Sequence, residues 1–188
     1  MSSHHIVREK QEPALLILDL AHFNGELLGQ ILEWSPAVFA TNSSYEEINS
    51  LGIKVDFVFA PESNLDVQEH TKIIVCSGDI LEGALKYLVT EEYPAVNIIT
   101  NSFYLKDYVL FVDLIDLVVF VGSRKIFPVR SGFSKWQVAN KEISLMHPVN
   151  VNTFGLWELE SQVFKTEKDG FYGFTFEQPS VFISEEIS

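Results

Sequence analysis

Residues 52–66 read Gly-Ile-Lys-Val-Asp-Phe-Val-Phe-Ala-Pro-Glu-Ser-Asn-Leu-Asp. The apolar run from Val55 to Phe59 predicts a buried strand, and the polar residues after it predict a sharp turn. In open α/β sheets, ligands bind just beyond the carboxyl ends of the strands. We therefore expect the turn from Ala60 to Asn64 to lie where a functional loop belongs.

The first two thirds of the chain repeat this order of an apolar strand followed by a helix. Asn24 is the predicted N-cap of the first helix. Because strands alternate with helices, the pattern indicates a mostly parallel sheet with right-handed crossovers. The predicted strands are 14–18, 37–40, 55–59, 72–75, 96–100 and 117–121, and the predicted helices are 26–32, 45–51, 79–90 and 104–114.

After Gly122 the pattern changes to short strands separated by turn residues, with no helical periodicity. The strand candidates are 125–129, 135–139, 142–146, 157–159, 171–176 and 180–183. Such a series is typical of a small antiparallel sandwich. The predicted fold class is α/β. A Rossmann-like, mostly parallel α/β domain at 12–122 precedes a small C-terminal antiparallel β-sandwich at 123–188.

Charge and hydropathy exclude several classes of partner. The chain of 188 residues has a formal net charge of −13, which repels phosphate backbones and anionic lipids, so we expect neither nucleic-acid nor membrane binding. Met1 to Gln11 has no apolar run typical of a signal peptide. The apolar stretch from Val109 to Val121 is interrupted by Asp113 and Asp116. We expect a soluble, cytoplasmic protein.

The single cysteine and the scattered histidines offer little chemistry. Cys76 lies in an apolar run, which favours a buried and inert thiol, and one cysteine excludes both an intrachain disulfide and a Cys-rich zinc site. No P-loop, dinucleotide fingerprint or nucleophile elbow occurs. The five histidines, which have no metal-ligand spacing, are His4, His5, His22, His70 and His147.

Several short motifs occur in a characteristic order. They are Asn24-Gly25, Phe-Ala-Thr-Asn-Ser-Ser at 39–44, Gly-Ile-Lys-Val-Asp at 52–56, Asp79 with Ala-Leu-Lys-Tyr-Leu at 84–88, Asp107, Ile-Ser-Leu-Met-His-Pro at 143–148, and Thr-Phe-Gly-Leu-Trp-Glu-Leu at 153–159. In this order and spacing, the chain resembles the thiamin pyrophosphokinase family over nearly its whole length.

The resemblance implies transfer of pyrophosphate from ATP to thiamin with Mg²⁺, in a homodimer whose thiamin sites lie between subunits. Carried over to this chain, it implies catalytic positions at Asp79 and Asp107. The other implied positions are Asn24, Gly25 and Asn42 for nucleotide, Asp79, Asp107 and Glu62 for metal, and Trp157 and Thr175 for thiamin or a related heterocycle.

The chain departs from the family where the chemistry requires charge. Asn42 replaces an acid after the second strand, and Pro61 and Ser63 replace two acids after the third. Leu105 and Tyr108 occupy the places of the family's Arg and His. Since Mg²⁺ requires hard oxygen ligands and pyrophosphoryl transfer requires dense positive charge, this pattern indicates a diverged member with weak or no catalysis.

Two other interpretations remain open at this stage. One is an active kinase with a rearranged metal site formed by Glu62, Asp79 and Asp107. The other is an unrelated α/β plus β ligand-binding protein. Each candidate residue also has a purely structural interpretation: Asp79 and Asn24 as helix caps, Asp107 as a solvated residue, and the alternating aromatics of 171–176 as core.

Overall fold

The computed structural model describes residues 12–187. His4, His5 and the segment from Met1 to Gln11, for which we expected no signal peptide, lie outside the described residues. The strands are β1 (Ala14–Ile17), β2 (Val38–Thr41), β3 (Phe57–Ala60), β4 (Lys72–Val75), β5 (Ala95–Thr100), β6 (Asp116–Val121), β7 (Arg124–Val129), β8 (Phe133–Gln137), β9 (Glu142–Leu145), β10 (Asn152–Phe154), β11 (Leu156–Glu160), β12 (Val163–Thr166), β13 (Gly170–Thr175) and β14 (Val181–Glu186). The helices are α1 (Gly25–Glu33), α2 (Tyr45–Ser50), α3 (Ile80–Thr90) and α4 (Leu105–Tyr108).

The first six strands form a parallel array in the order β4-β3-β2-β1-β5-β6. β1 and β2 are buried along their whole length, as expected for apolar strands covered on both faces. Strands β1 to β4 extend the array in one direction, whereas β5 and β6 extend it on the other side of β1. The direction therefore changes between β1 and β5, and ligands bind at such a switch point in α/β sheets.

Helices cover the two faces of this array in pairs. Helices α1 and α2 pack on one face, where Leu28 and Ile48 join a core with Ile17 and Ile99. Helix α3 and the chain around Tyr108 pack on the other face. Successive strand residues alternate between these two cores, which matches the two-residue period of a β-strand.

The antiparallel strands continue the same sheet. Gly122, with φ of 56°, allows a tight turn from β6 into antiparallel β7. The sheet then extends through β14, β9, β12 and β11 to a total of 11 strands, and β10, β13 and β8 form a separate three-stranded antiparallel sheet. A shared core that includes Val129, Ile183 and Phe174 joins the small sheet to the antiparallel strands. The result is a mixed α/β fold with one large and one small sheet, and the boundary at 122/123 stays a prediction.

Three local predictions need correction. Strands β10 and β12 were not predicted, because Asn152–Phe154 is short and exposed and Val163–Thr166 has only two apolar residues. The helix predicted at 104–114 is only α4 followed by a 3-10 turn at Val109–Phe111. Exposed Leu110 gives that segment no second apolar face to bury.

Cys76 and the membrane expectation can also be compared with the structure. Cys76 is half-buried rather than buried, because it follows β4 at the edge of the sheet. Its sulfur lies against Gly83, where a Cβ atom would overlap it. Between residues 12 and 187, no helix has the length and apolar character needed to cross a membrane.

Candidate functional site

The loops at the carboxyl ends of the parallel strands meet at one edge of the sheet, which we call the carboxyl edge. It comprises the segments that follow β1, β2, β3, β4 and β5. The predicted nucleotide, metal and catalytic residues lie in these segments or in the helices that follow them. They are Asn24, Gly25, Asn42, Glu62, Asp79 and Asp107.

The loop after β1 uses its polar side chains to start α1. Asn24 Oδ1 accepts hydrogen bonds from the backbone N–H groups of Glu26 (2.8 Å) and Leu27 (3.1 Å), which confirms Asn24 as the N-cap. Asp19 Oδ1 accepts one from the N–H of Ala21 at 2.7 Å. Asp19 was not singled out from sequence, although its place beside the switch point was the signal that could have found it.

A closed hydroxyl network organises the loop after β2. Thr41 Oγ1 lies 2.8 Å from Ser43 Oγ and 3.1 Å from Ser44 Oγ. Buried Ser44 donates from its hydroxyl to the carbonyl of Ile17 in β1 at 2.7 Å. These hydroxyls form hydrogen bonds within the protein and hold the loop against β1. The side chain of Asn42, which lies between them in sequence, is exposed.

The charges of the two retained acids both act on Tyr108. Asp79 Oδ1 caps α3 by accepting from the N–H of Glu82 at 2.9 Å, which confirms the structural interpretation of this residue. Asp107 is half-buried in α4. Burial raises the pKa of Tyr108 well above its ordinary value, and the negative charges of Asp107 and then Asp79 raise it further. Both carboxylates therefore act on the same phenol.

Tyr108 itself is part of the core. It is 1% exposed, and its ring stacks on that of Phe103 with centroids 5.0 Å apart. The residue at the place of the family's His is thus a packing residue whose phenol keeps its proton at neutral pH.

The acids of the carboxyl edge do not fit a magnesium–nucleotide site. Within residues 12–187, no three His, Cys, Asp or Glu side chains come together in a group that could hold a metal ion. Glu62 is exposed in the loop after β3, and one oxygen of Asp79 is engaged by the helix cap. Glu62, Asp79 and Asp107 therefore do not form the charged oxygen cluster that Mg²⁺ prefers.

The predicted substrate residues lie on different sheets. Trp157 is on β11 of the large sheet, opposite Lys165, and is 49% exposed. Thr175 ends β13 of the small sheet and lines a cavity of about 380 Å³ with Asn152 and Glu177. Of the alternating aromatics in β13, Phe174 is core, whereas Phe171 is 64% exposed.

A larger cavity lies at the opposite edge of the sheet. Its volume is about 1200 Å³, and it is lined by residues at the amino ends of the strands, including Val38, Phe57 and Lys72. Ligands of open α/β sheets bind at the carboxyl ends, so we place the candidate site at the carboxyl edge despite the size of this cavity.

Comparison with known proteins gives different answers for sequence and structure. No family model and no curated protein matches the sequence. A probable thiamine pyrophosphokinase from Staphylococcus saprophyticus superposes with a TM-score of 0.64 at 12% identity, covering 94% of this chain and 99% of that chain. The chain has the thiamin pyrophosphokinase fold.

Two further structures with the thiamin pyrophosphokinase fold agree. Thiamine pyrophosphokinase from Bacillus subtilis superposes with a TM-score of 0.61 at 10% identity, covering 93% of this chain and 99% of that one. Yeast thiamin pyrophosphokinase superposes with a TM-score of 0.64 at 10% identity, covering 97% of this chain and 88% of that one. The resemblance inferred from the short motifs thus extends to the whole architecture.

Proposed function

We propose that this chain is a diverged member of the thiamin pyrophosphokinase family that binds a thiamin-like heterocycle and has weak or no pyrophosphotransferase activity. The observation that carries the proposal is the fold match over 94% of the chain together with a carboxyl edge whose acids form no metal-sized group in the described part of the chain. In this reading, 12–122 is a Rossmann-like half and 123–188 a β-sandwich half.

The proposed loss of activity follows from charge. Pyrophosphoryl transfer develops negative charge on several phosphate oxygens, and Mg²⁺ held by carboxylates normally offsets it. Here Asn42, Pro61 and Ser63 supply no charge, and Leu105 supplies no cation. ATP and Mg²⁺ are the cofactors of the active alternative only.

The active alternative has one observation in its favour. Asp79 and Asp107 are both close enough to Tyr108 to raise its pKa, so two acids of the predicted metal set lie in one neighbourhood. A kinase with a rearranged site would use this pair. The third interpretation, an unrelated protein, predicted no match to thiamin pyrophosphokinase structures and is not supported by the match.

We also propose a homodimer. The outer face of the small sheet presents three exposed aromatic side chains, since Phe171 pairs with Trp136 and Phe154 pairs with Gly173 on the same face. Trp136 is 52%, Phe154 51% and Phe171 64% exposed. We call these three residues the aromatic face. Contiguous exposed aromatics are typical of interaction surfaces, and a second copy would cover them.

A thermal-shift titration tests the function. We expect thiamin alone to raise the melting temperature, because a ligand that binds only the folded state stabilises it by about 2.7 kcal/mol at 100 times its Kd. We expect Trp157→Ala to weaken this shift and Trp34→Ala, which alters an exposed tryptophan at the opposite edge, to leave it unchanged.

Nucleotide turnover distinguishes the alternatives. Addition of Mg²⁺ and ATP should produce no AMP above the uncatalysed level in the presence of thiamin. Thiamin-dependent AMP release that is abolished in Asp79→Asn would overturn the non-catalytic proposal in favour of the rearranged kinase. Absence of any shift with thiamin would remove the ligand part of the proposal.

A further inference from the structure

A row of side chains crosses one face of the large sheet and changes from apolar to charged. Phe120 of β6 lies beside Ile99 of β5 and directly opposite Lys125 of β7, and Lys125 lies opposite Glu185 of β14. Directly opposite residues point to the same face. The apolar row of the core under α1 and α2 therefore ends at Phe120. It is followed by partly exposed Lys125 on the next strand and by buried Glu185 on the strand after that.

Two lysines from different sheets converge on that buried charge. Glu185 Oε2 lies 2.5 Å from Lys135 Nζ of the small sheet and 3.6 Å from Lys125 Nζ of the large sheet. The hydroxyl of Tyr172 donates to Glu185 Oε1. Glu185 is 2% exposed, so both of its oxygens are engaged by groups that the tertiary fold brings together.

This cluster carries more positive than negative charge. Two ammonium groups share one carboxylate, and burial followed by the charge of Lys135 lowers the pKa of Lys125, while Glu185 raises it. The carboxylate is enclosed, whereas the side chains of Lys125 and Lys135 are 32% and 33% exposed. The excess charge thus lies on two partly exposed side chains, in a chain whose formal net charge is −13.

The lysines lie beside the carboxyl edge. Lys125 is the second residue of β7, directly after the turn from the carboxyl end of β6. Its neighbour Phe120 packs edge-to-face with Phe23 of the loop after β1, with ring centroids 6.1 Å apart. Lys125 therefore lies between the β1 loop, which starts α1, and Lys135 of the small sheet.

We propose that Lys125 and Lys135 form a binding site for the phosphate group of a small phosphorylated ligand whose body lies along half-buried Phe23. A bound phosphate oxyanion neutralises the excess charge of the cluster and accepts charge-assisted hydrogen bonds from both ammonium groups. Glu185 and Tyr172 are positioning residues, because they hold the lysines together without facing solvent. The inference does not rest on thiamin binding.

Isothermal titration with inorganic diphosphate, without thiamin or Mg²⁺, tests this site. We expect saturable binding to the wild-type chain and a loss of affinity of about tenfold or more in Lys125→Gln, since one charge-assisted hydrogen bond is removed. Lys125→Arg keeps the charge and should retain most of the affinity. Lys168→Gln, an exposed lysine in the turn before β13, is the matched control and should not change it.

Folding and specificity are checked in the same series. Lys125→Gln leaves the Lys135–Glu185 ion pair of 2.5 Å in place, and a circular dichroism melt verifies that the variant is folded. If Lys125→Gln and Lys168→Gln lose the same affinity for diphosphate, binding depends only on the overall charge of the chain, and the proposal is overturned. A wild-type chain that shows no saturable binding would also overturn it. Since the probe contains no thiamin, either result is separable from failure of the proposed function.

Discussion

Asp79 and Tyr172 show how single side chains of this protein are committed to structure. Asp79 is an acid of the predicted metal set, yet one of its oxygens holds the N–H of Glu82 at the start of α3. Tyr172 is fully buried and donates to Glu185, so a phenol and a carboxylate satisfy each other between two sheets. At this scale, the hydrogen-bond partner of each of these side chains decides its role.

Replacement of Tyr172 tests the buried network. We expect Tyr172→Phe to lower the free energy of unfolding by about 2 kcal/mol at neutral pH, because Glu185 loses a donor while it stays buried. Urea unfolding measures the change. Tyr104→Phe, which alters an exposed tyrosine, is the control and should be neutral.

The same variant has a predictable pH dependence. Burial first, and then the hydrogen bond to Glu185, raise the pKa of Tyr172 above its ordinary 10.0 in the folded protein. The unfolded chain therefore loses this proton first as the pH rises above 10, so wild-type stability from this group declines there. The difference in free energy of unfolding between wild type and Tyr172→Phe should therefore become smaller above pH 10. A difference that stays constant with pH would contradict a raised pKa for Tyr172 in the folded protein.

At the scale of elements, α1 depends on its cap. The helix has nine residues, and an isolated helix of that length is not stable in water. We expect Asn24→Ala to destabilise the protein by about 1 kcal/mol, because two N–H groups lose their acceptor. Denaturant unfolding measures the loss.

Two variants of α1 serve as controls for Asn24→Ala. Asn24→Asp retains an acceptor and should keep the wild-type stability. Gln30→Ala, at an exposed position within the same helix, should be neutral or slightly stabilising because alanine favours helix. Equal stability of Asn24→Ala and wild type would show that packing of Leu28, rather than the cap, fixes the start of α1.

At the scale of the whole molecule, the aromatic face of Trp136, Phe154 and Phe171 predicts self-association. Sedimentation velocity should give twice the mass of the chain at micromolar concentration. A double variant, Trp136→Glu with Phe171→Glu, should be monomeric because each copy would place two like charges in the contact. Trp34→Glu, at the opposite edge, should remain dimeric. A monomeric wild-type chain would refute the homodimer.

The sequence predicted much of the fold because apolar periodicity is a local property. β1, β4 and α3 were predicted within one residue of their observed bounds, since each is a continuous apolar run or a helical stripe with a clear cap. α4 and β10 were not, because the apolar pattern does not show that Leu110 and Phe154 stay largely exposed in the folded chain. In the fold, the ring of Phe154 occupies the space of the side chain that Gly173 lacks.

By itself, the sequence determined the order of strands and helices in the parallel array, the family resemblance, and the replacement of acids at Asn42, Pro61 and Ser63. Only the tertiary structure decided that the antiparallel strands continue the parallel sheet and that Lys125, Lys135, Tyr172 and Glu185 form one cluster. The physical reason is separation along the chain. Residues on β7, β8, β13 and β14 share no local pattern, and they meet only because strand pairing and the burial of a common core bring the two sheets together.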